Sequence, residues 1–466
     1  MKHWSILLLV LSIVLAACSS TTPVETEKYH VTSTTSGVVS TVAGLKDSTN
    51  TADGIDATEA QLLAPRSVTL EKNGNILIAA ANKIHRVTAG TGIITTVAGT
   101  GLVGDSGDGG QATSATLKGP QGVCVDTNGN IFIADTANNK IRKVTVSTGV
   151  ITTVAGNGDP LFVGDNGDAT SAALKLPEDV AVDSSGNIFI ADTGNGRIRK
   201  VTASTGKITT IVGSGDRGDS LNIITFEATK YYLWGPSGVA LDTSGNVFIA
   251  GGTQDRGIFK LTVSTGKISV VAGPGTYFSP GPILYNGEDI LATLAGLYKV
   301  NKVAVDASGN ILLSDAGNNR IRKVTASTGL ISTVAGSGSS SYYQAPSNIA
   351  TEVAIDTATG VVFDSAGNFY FCDSLAGVVR KVTYGGVTSP SVSSSKAPTV
   401  VSAPAATPTA PSFKAPTAPS SATTPTAPSS SSTGSQSSAT GHVAQALHMA
   451  MILLSSALIL HLYRDA

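Results

Sequence analysis

A pattern of about 57 residues recurs six times along this chain, and it limits the folds that the chain can adopt. Clear copies occupy residues 122–156, 179–213 and 302–336. Copies end at the tripeptide Val-Ala-Gly or Ile-Val-Gly, whose glycines are Gly44, Gly99, Gly156, Gly213, Gly273 and Gly336. A fixed period of this size predicts repeated supersecondary units that stack side by side.

Each copy contains four short apolar runs that are separated by turn residues. In the second copy the runs are residues 122–126, 130–135, 140–145 and 150–155. Runs rich in Val, Ile, Phe and Thr favour β-strands, and the Gly and Asn residues between them tolerate the positive φ of tight hairpins. One copy therefore predicts a four-stranded antiparallel meander.

The distribution of apolar residues indicates how these meanders pack. The first two runs are apolar on both faces, whereas the third includes Arg and Lys and the fourth alternates with Thr. Burial that decreases from the first strand to the fourth is typical of propeller blades. The last copy, residues 354–386, lacks a fourth strand, which residues 38–44 can supply. The sequence predicts an all-β fold, a six-bladed β-propeller over residues 36–386 that is closed by its N-terminal strand.

The repeat also resembles a known family. The consensus Gly-Val-Ala-Val-Asp-x-x-Gly-Asn-Ile-Phe-Ile-Ala-Asp-x-x-Asn-Asn-Arg-Ile-Arg-Lys-Val-Thr is similar to the NHL repeat, best matched by residues 183–195 and 306–322. The resemblance covers about three quarters of the chain and implies the propeller fold. It says less about function, because NHL-like propellers include binding platforms, extracellular modules, RNA readers and a few lyases.

The N-terminal residues 1–20 predict a secretory signal peptide, with a Lys followed by an apolar core. The segment Leu15-Ala16-Ala17-Cys18 also resembles a bacterial lipobox, in which Cys18 would carry the lipid. A eukaryotic signal peptide with an incidental cysteine is the alternative, and the C-terminal features favour it.

The C-terminal part divides into two segments. Residues 387–441 are almost wholly Ser, Thr, Pro and Ala, and this composition predicts a disordered stalk. Residues 442–466 form a hydrophobic tail, preceded by small residues and followed by only Arg464-Asp465-Ala466. This arrangement resembles a GPI-attachment signal, with a single transmembrane helix as the alternative.

Charge and cysteine content narrow the possible partners. The chain has 31 Lys+Arg against 32 Asp+Glu, without the basic excess that nucleic-acid binding requires. Cys124 and Cys372 lie in different predicted blades, so we expect them to be unbridged.

We expect a monomeric propeller that binds an extracellular protein or glycan. We expect its C-terminal tail to hold it on the outer face of the plasma membrane, with a lipid on Cys18 as the lipoprotein alternative.

The candidate binding residues lie in the long loops. All of these loops follow the repeat-ending glycines, so one face of the ring carries the variation in length, where binding residues concentrate. Asp105, Asp108, Asp165 and Asp168 lie in Gly-rich loops, and carboxylates three residues apart could bind Ca²⁺. Because they supply fewer than six oxygen ligands, turn stabilisation is the alternative and no cofactor is required.

Two further features invite a functional interpretation. Arg217 and Asp219 flank a glycine in an Arg-Gly-Asp tripeptide, which can bind integrins. Asp135, Asp192 and Asp315 each precede an arginine by seven residues, and this recurrence predicts a hairpin cap with a surface ion pair worth about 0–1 kcal/mol.

Catalysis has little support in the sequence. Residues 36–386 contain a single histidine, His85, whereas NHL-like amidating lyases use several histidine ligands, and no Gly-x-Ser-x-Gly motif is present. A lactonase-like propeller uses oxygen ligands around its central channel, and Glu352 is the one loose candidate for such a ligand. We therefore expect a non-catalytic binding module, with a metal-dependent hydrolase or lyase as the alternative.

Overall fold

The computed structural model describes residues 37–215, 227–252, 255–274, 285–340 and 347–384. These residues all lie in the first of two compact units, 1–391 and 392–466. Their secondary structure consists of β-strands and short 3₁₀ turns in six sheets. The predicted signal peptide, stalk and hydrophobic tail lie outside the described residues. No helix in the described ranges is long and apolar enough to cross a membrane.

The first three blades follow the four runs of the repeat. β1 (Val38–Ala43) and the short β2 (Ile55–Asp56) precede them. Blade 1 comprises β3 to β6, which are Ser67–Leu70, Ile76–Ala80, Lys83–Val87 and Ile93–Ala98. Blade 2 comprises β7 to β10, which are Gly122–Val125, Ile131–Asp135, Lys140–Thr145 and Val150–Ala155. Blade 3 comprises β11 to β14, which are Asp179–Val182, Ile188–Asp192, Arg197–Thr202 and Lys207–Val212.

The other three blades repeat this order. Blade 4 comprises β15 to β18, which are Gly238–Leu241, Val247–Ala250, Ile258–Thr262 and Lys267–Ala272. Blade 5 follows the short β19 (Ile290–Leu291) and comprises β20 to β23, which are Val300–Val305, Ile311–Asp315, Arg320–Val324 and Leu330–Ala335. Blade 6 contains β24 to β26, which are Ala358–Phe363, Phe369–Asp373 and Val378–Thr383. Six 3₁₀ turns complete the list, at Ala112–Ser114, Thr136–Asn138, Thr193–Asn195, Ala228–Lys230, Ala292–Leu294 and Ala316–Asn318.

The six blades form a closed ring. Each first strand contacts the first strands of the two neighbouring blades, in the order β3, β7, β11, β15, β20, β24 and back to β3. The N-terminal strand β1 pairs antiparallel with β26, from Val38 opposite Thr383 to Ala43 opposite Val379, so it is the fourth strand of blade 6. The predicted all-β six-bladed propeller, closed by its N-terminal strand, is confirmed.

The apolar core lies between neighbouring blades, as the composition of the first two runs predicts. The second strand of each blade is buried along its whole length, whereas the first is buried mainly at its start and the fourth is only partly buried. Cys124 and Cys372 are free thiols in β7 and β25, in blades 2 and 6. Burial raises the pKa of the Cys372 thiol to about 12, so this thiol stays protonated at neutral pH.

Two repeated sequence features have clear backbone causes. The motif Asp-x-x-Gly-Asn forms the turn between first and second strands: the Asp126 carboxylate accepts from the backbone amides of Asn128 and Asn130, at 2.9 and 2.8 Å. The glycine that ends the fourth strand has a positive φ, 89° at Gly156, and a Cβ there would lie 2.3 Å from the carbonyl oxygen of Asn139. Both features therefore serve the fold.

The two faces of the ring differ, and we call them the long-loop face and the turn face. The long-loop face carries the loops that follow the fourth strands and the hairpins between second and third strands. These segments contact one another: the Ala137 amide donates to the Lys118 carbonyl oxygen (3.1 Å) and Asn138 Nδ2 donates to the Gly104 carbonyl oxygen (2.7 Å). The turn face carries the short turns between first and second and between third and fourth strands.

Candidate binding site at the channel mouth

The repeated Asp–Arg pairs are buried, and the prediction of surface ion pairs was wrong. In blade 2 the Asp135 and Arg142 side chains are 0% and 1% exposed, with 3.4 Å between Oδ2 and Nη1. The equivalent pairs are Asp192–Arg199 (3.3 Å), Asp315–Arg322 (3.9 Å) and Asp373–Arg380 (3.0 Å). Sequence spacing alone did not show that the long loops cover these pairs.

Hydrogen bonds from the loops explain why an aspartate occupies this position. Asp135 Oδ1 accepts from the Lys118 amide at 2.8 Å, and Oδ2 accepts from Asn138 Nδ2 at 2.8 Å. Burial nevertheless raises the pKa of Asp135 to about 6, although these hydrogen bonds and Arg142 act in the opposite direction. Each pair therefore ties a hairpin to the loop above it, which is a structural role.

The predicted loop aspartates contact cationic side chains of the protein. Asp105 and Asp108 converge on Arg142, at 3.8 and 2.7 Å, and Asp105 also pairs with Lys140 at 2.6 Å. These carboxylates thus already have protein counter-charges, which favours the turn-stabilising alternative over Ca²⁺. Within the described ranges, no three His, Cys, Asp or Glu side chains form a group that could hold a metal ion.

The loop before blade 3 repeats half of this arrangement. Asp165 pairs with Arg199 at 2.7 Å, whereas Asp168 is exposed and lies 3.7 Å from Lys207. The structure does not bring these two carboxylates to a common cation. Arg217 and Asp219 lie in the segment 216–226, outside the described residues, so their adhesive role stays a prediction.

Blade 4 replaces the pair with a lone buried carboxyl. Phe259 occupies the arginine position, and Asp255 accepts a hydrogen bond from the Trp234 amide at 2.9 Å. Asp255 is 3% exposed, and burial raises its pKa to about 7. The Asp255 carboxyl is therefore the group in blade 4 that titrates near neutral pH.

We expect Asp255→Asn to flatten the dependence of stability on pH. Between pH 4 and 7 the folded chain keeps the Asp255 proton that the unfolded chain loses, so the free energy of unfolding falls as pH rises through this range. The loss is at most roughly 4 kcal/mol, at about 1.4 kcal/mol per pKa unit. Thermal unfolding of the wild type and Asp255→Asn from pH 4 to pH 8 measures it. If the stability of the two proteins changed with pH in the same way, Asp255 would not be the group responsible.

At the mouth of the central channel on the long-loop face, the blades differ from one another in sequence. The residue five positions before the acidic residue that follows each first strand differs in all six blades: Arg66, Gln121, Glu178, Ser237, Asn301 and Thr359. These side chains line a cavity of about 340 Å³. Three of them bridge to the backbone of a neighbouring blade, because Ser237 Oγ, Thr359 Oγ1 and Asn301 Nδ2 donate to carbonyl oxygens there. The other three vary in charge from blade to blade, whereas positions that serve the fold recur, so they mark a candidate site.

An ion pair inside the channel connects two blades that are not neighbours. Lys302 Nζ of blade 5 lies 2.8 Å from Asp179 Oδ1 of blade 3, and both side chains are 9% exposed. The ammonium group also donates to the Glu178 carbonyl oxygen at 2.7 Å, and Asp179 Oδ2 accepts from the Val239 amide at 2.9 Å. This ion pair therefore links blades 3 and 5 across the channel, below its mouth.

The Glu178 carboxyl lies at the rim above this pair. Burial raises its pKa, while Lys302 and Arg66 act to lower it. Glu352, by contrast, is exposed and accepts a hydrogen bond from Ser347 Oγ at 2.9 Å, so choosing it as the channel carboxylate was wrong. The signal that could have found the correct group is Pro177-Glu178-Asp179, where another copy reads Pro120-Gln121-Gly122.

Trp234 adds an aromatic surface to the polar rim. It lines the cavity and packs edge-on against Tyr232, with ring centroids 5.1 Å apart. Aromatic side chains next to hydrogen-bonding groups are common at binding sites. The two positive groups, Arg66 and Lys302, balance the carboxylates of Glu178 and Asp179. None of the residues lining this cavity is a histidine or cysteine.

Comparisons with known proteins agree with this architecture. The NHL repeat model matches residues 174–201, and the teneurin NHL domain model matches residues 103–162. Together with six four-stranded blades in a ring, these matches confirm the resemblance. The chain is an NHL-repeat β-propeller.

Similar proteins include teneurins. Teneurin-3 of Danio rerio is 31% identical over 285 residues, covering 58% of this chain and 10% of the teneurin. Teneurin-1 of Mus musculus is 28% identical over 234 residues, covering 47% of this chain and 8% of the teneurin. The alignments thus span a tenth or less of each teneurin. An auxiliary nutrient binding protein from Bacteroides ovatus has the same fold, with a TM-score of 0.54 at 15% identity over 75% of this chain and 77% of that one.

Proposed function

We propose that this chain is a non-catalytic binding module that recognises an extracellular protein or glycan through its long-loop face. The observation that carries the proposal is the set of six different polar side chains at the channel mouth, beside Trp234. A ligand seated there would contact one residue from every blade.

Exposed apolar side chains support the same face. Leu102, Val103 and Leu161 are 70, 64 and 58% exposed, and all lie in loops that follow fourth strands. Clustered exposed apolar residues mark interaction surfaces more often than isolated ones do. The ion pairs of Asp105, Asp108 and Asp165 hold the bases of these loops, so the surface is preorganised, which reduces the entropic cost of binding.

We expect the purified full chain to bind at least one member of a combined array of glycans and extracellular proteins. A clean screen without hits would count against the proposal. Elemental analysis of the same sample addresses the alternative, because a stoichiometric metal ion would favour a hydrolase or lyase of the lactonase-like class. The variant Arg66→Ala, at the channel mouth, then tests whether a hit uses this face.

The proposed location is the outer face of the plasma membrane, supported by the signal-like residues 1–20 and the hydrophobic tail 442–466. With an epitope tag inserted after Lys28, phosphatidylinositol-specific phospholipase C is expected to release the protein from intact eukaryotic cells. Retention of the tag on treated cells would contradict GPI attachment and favour a spanning tail or a lipid on Cys18.

A further inference from the structure

Blade 1 lacks the buried ion pair found in blades 2, 3, 5 and 6. Its second strand ends at Ala80 where β8 ends at Asp135, and its third strand has His85 where β9 has Arg142. The hairpin between these strands has two residues in blade 1 and four in blade 2. Each of these differences removes side-chain or backbone volume from the end of the hairpin between the second and third strands of blade 1.

A cavity of about 240 Å³ occupies that place. Its lining includes Asp53, which is the counterpart of Asp108: the next residue, Gly54, donates to the Ile94 carbonyl oxygen as Gly109 donates to that of Ile151. Thr96 Oγ1 donates to Asp53 at 2.9 Å, as Thr153 Oγ1 does to Asp108 at 2.7 Å. Blade 1 therefore has the loop carboxylate, Asp53, but not the arginine that pairs with the equivalent carboxylate in blade 2.

His85 lines this cavity and carries an unsatisfied polar atom. Its Nδ1 atom is buried and has no hydrogen-bond partner among the described residues. Burial and the nearby Lys83 lower the pKa of His85 to about 4, so the imidazole is neutral at neutral pH. Leaving a buried polar atom unpaired costs about 1–3 kcal/mol, so the histidine does not replace the stabilising contacts of the arginine.

The charges and hydrogen-bonding groups define the ligand. Asp53 and Lys83 supply one charge of each sign, so a neutral ligand keeps the cavity balanced. The carboxylate only accepts hydrogen bonds and the ammonium group only donates them, whereas a hydroxyl group can do both. Gln61 adds an amide to the polar side, and Leu63 and Ile94 add apolar contacts.

The cavity also sets the size of the ligand. With a volume of about 240 Å³, the cavity has room for one sugar ring. We infer that the blade 1 cavity is a binding site for a small neutral polyhydroxyl ligand, a single monosaccharide unit. This site is separate from the channel mouth, because the two cavities share no lining residue.

The test uses the full chain, a panel of neutral monosaccharides and, for comparison, free zwitterionic amino acids. Saturation-transfer NMR detects binding and titration calorimetry gives the affinity. The variant Ala80→Asp/His85→Arg restores the side chains of the other blades and fills the cavity. We expect wild type to bind a monosaccharide at millimolar concentration, and this variant to lose at least about tenfold in affinity, or 1.4 kcal/mol, with an equal or higher Tm.

Controls separate this site from the proposed function. Val263→Asp, at a 50% exposed position on the turn face, is expected to bind the sugar as wild type does. Loss of sugar binding in Arg66→Ala, with retention in the cavity-filling variant, would place the sugar at the channel mouth and overturn the inference. If the double variant does not fold, His85→Arg alone places in the cavity the longer side chain that Arg142 has in blade 2, and it must show the same loss. Absence of sugar binding to wild type, binding that survives a filled cavity, or preference for amino acids would each overturn the inference.

Discussion

The variant Arg199→Met is expected to lower the free energy of unfolding by about 3–5 kcal/mol, because it leaves the Asp192 carboxylate buried without its cation. Both side chains are 0% exposed, and Asp165 of the covering loop would lose its 2.7 Å contact as well. Burial already raises the pKa of Asp192 despite the presence of Arg199. Chemical denaturation monitored by circular dichroism measures the change.

Lys207→Met is the matched control in the same blade. Lys207 and Asp168 are 54 and 73% exposed, and an exposed pair contributes about 0–1 kcal/mol. The double variant Arg199→Met/Asp192→Asn removes both buried charges and should recover part of the loss. Equal effects of Arg199→Met and Lys207→Met would show that burial of the pair does not matter to stability.

Val39→Asp is expected to destabilise the closed ring by about 3 kcal/mol or more, through lost apolar contacts and a buried charge without a partner. Val39 is 8% exposed and packs in the core between blades 5 and 6, with Phe369 and Val382. Its strand β1 comes from the start of the chain and is the fourth strand of blade 6. Thermal unfolding followed by circular dichroism measures the effect.

Val38→Asp tests the same strand on its opposite side. Val38 is 42% exposed, so an aspartate there stays hydrated and should change stability by less than about 1 kcal/mol. If both variants behave alike, β1 does not close the ring by packing. If only Val39→Asp unfolds early and also aggregates, the edge of β26 has been exposed, as the closure predicts.

Most of the fold was predictable because the same pattern of apolar runs and turn residues occurs six times in the sequence. Strand positions, turn residues and ring closure follow from local patterns such as Asp-x-x-Gly-Asn, in which the aspartate accepts from amides two and four residues on. The shortened blade 1 hairpin is also visible in the sequence. Its consequence is not, because a cavity depends on the volume that the loop of residues 45–64 leaves unfilled.

The candidate site was harder to predict for a physical reason. Its residues come one from each blade and differ in type. A comparison of the repeats reveals the positions that recur, and therefore it does not single out these residues. Lys302 and Asp179 lie far apart in sequence and meet only because the ring closes. The aspartates that sequence reasoning selected are conspicuous because they recur, and recurrence reflected their ion pairs with Arg142 and Arg199.

The most direct test of the proposed binding face compares two surface variants on the ligand found by array screening. Arg66→Ala alters the exposed rim of the channel mouth, and Val263→Asp alters an exposed turn on the opposite face, where Val263 is 50% exposed. Surface plasmon resonance should show at least about tenfold weaker binding for Arg66→Ala, or 1.4 kcal/mol, and unchanged binding for Val263→Asp. Unchanged binding by Arg66→Ala with loss in Val263→Asp would contradict recognition through the long-loop face.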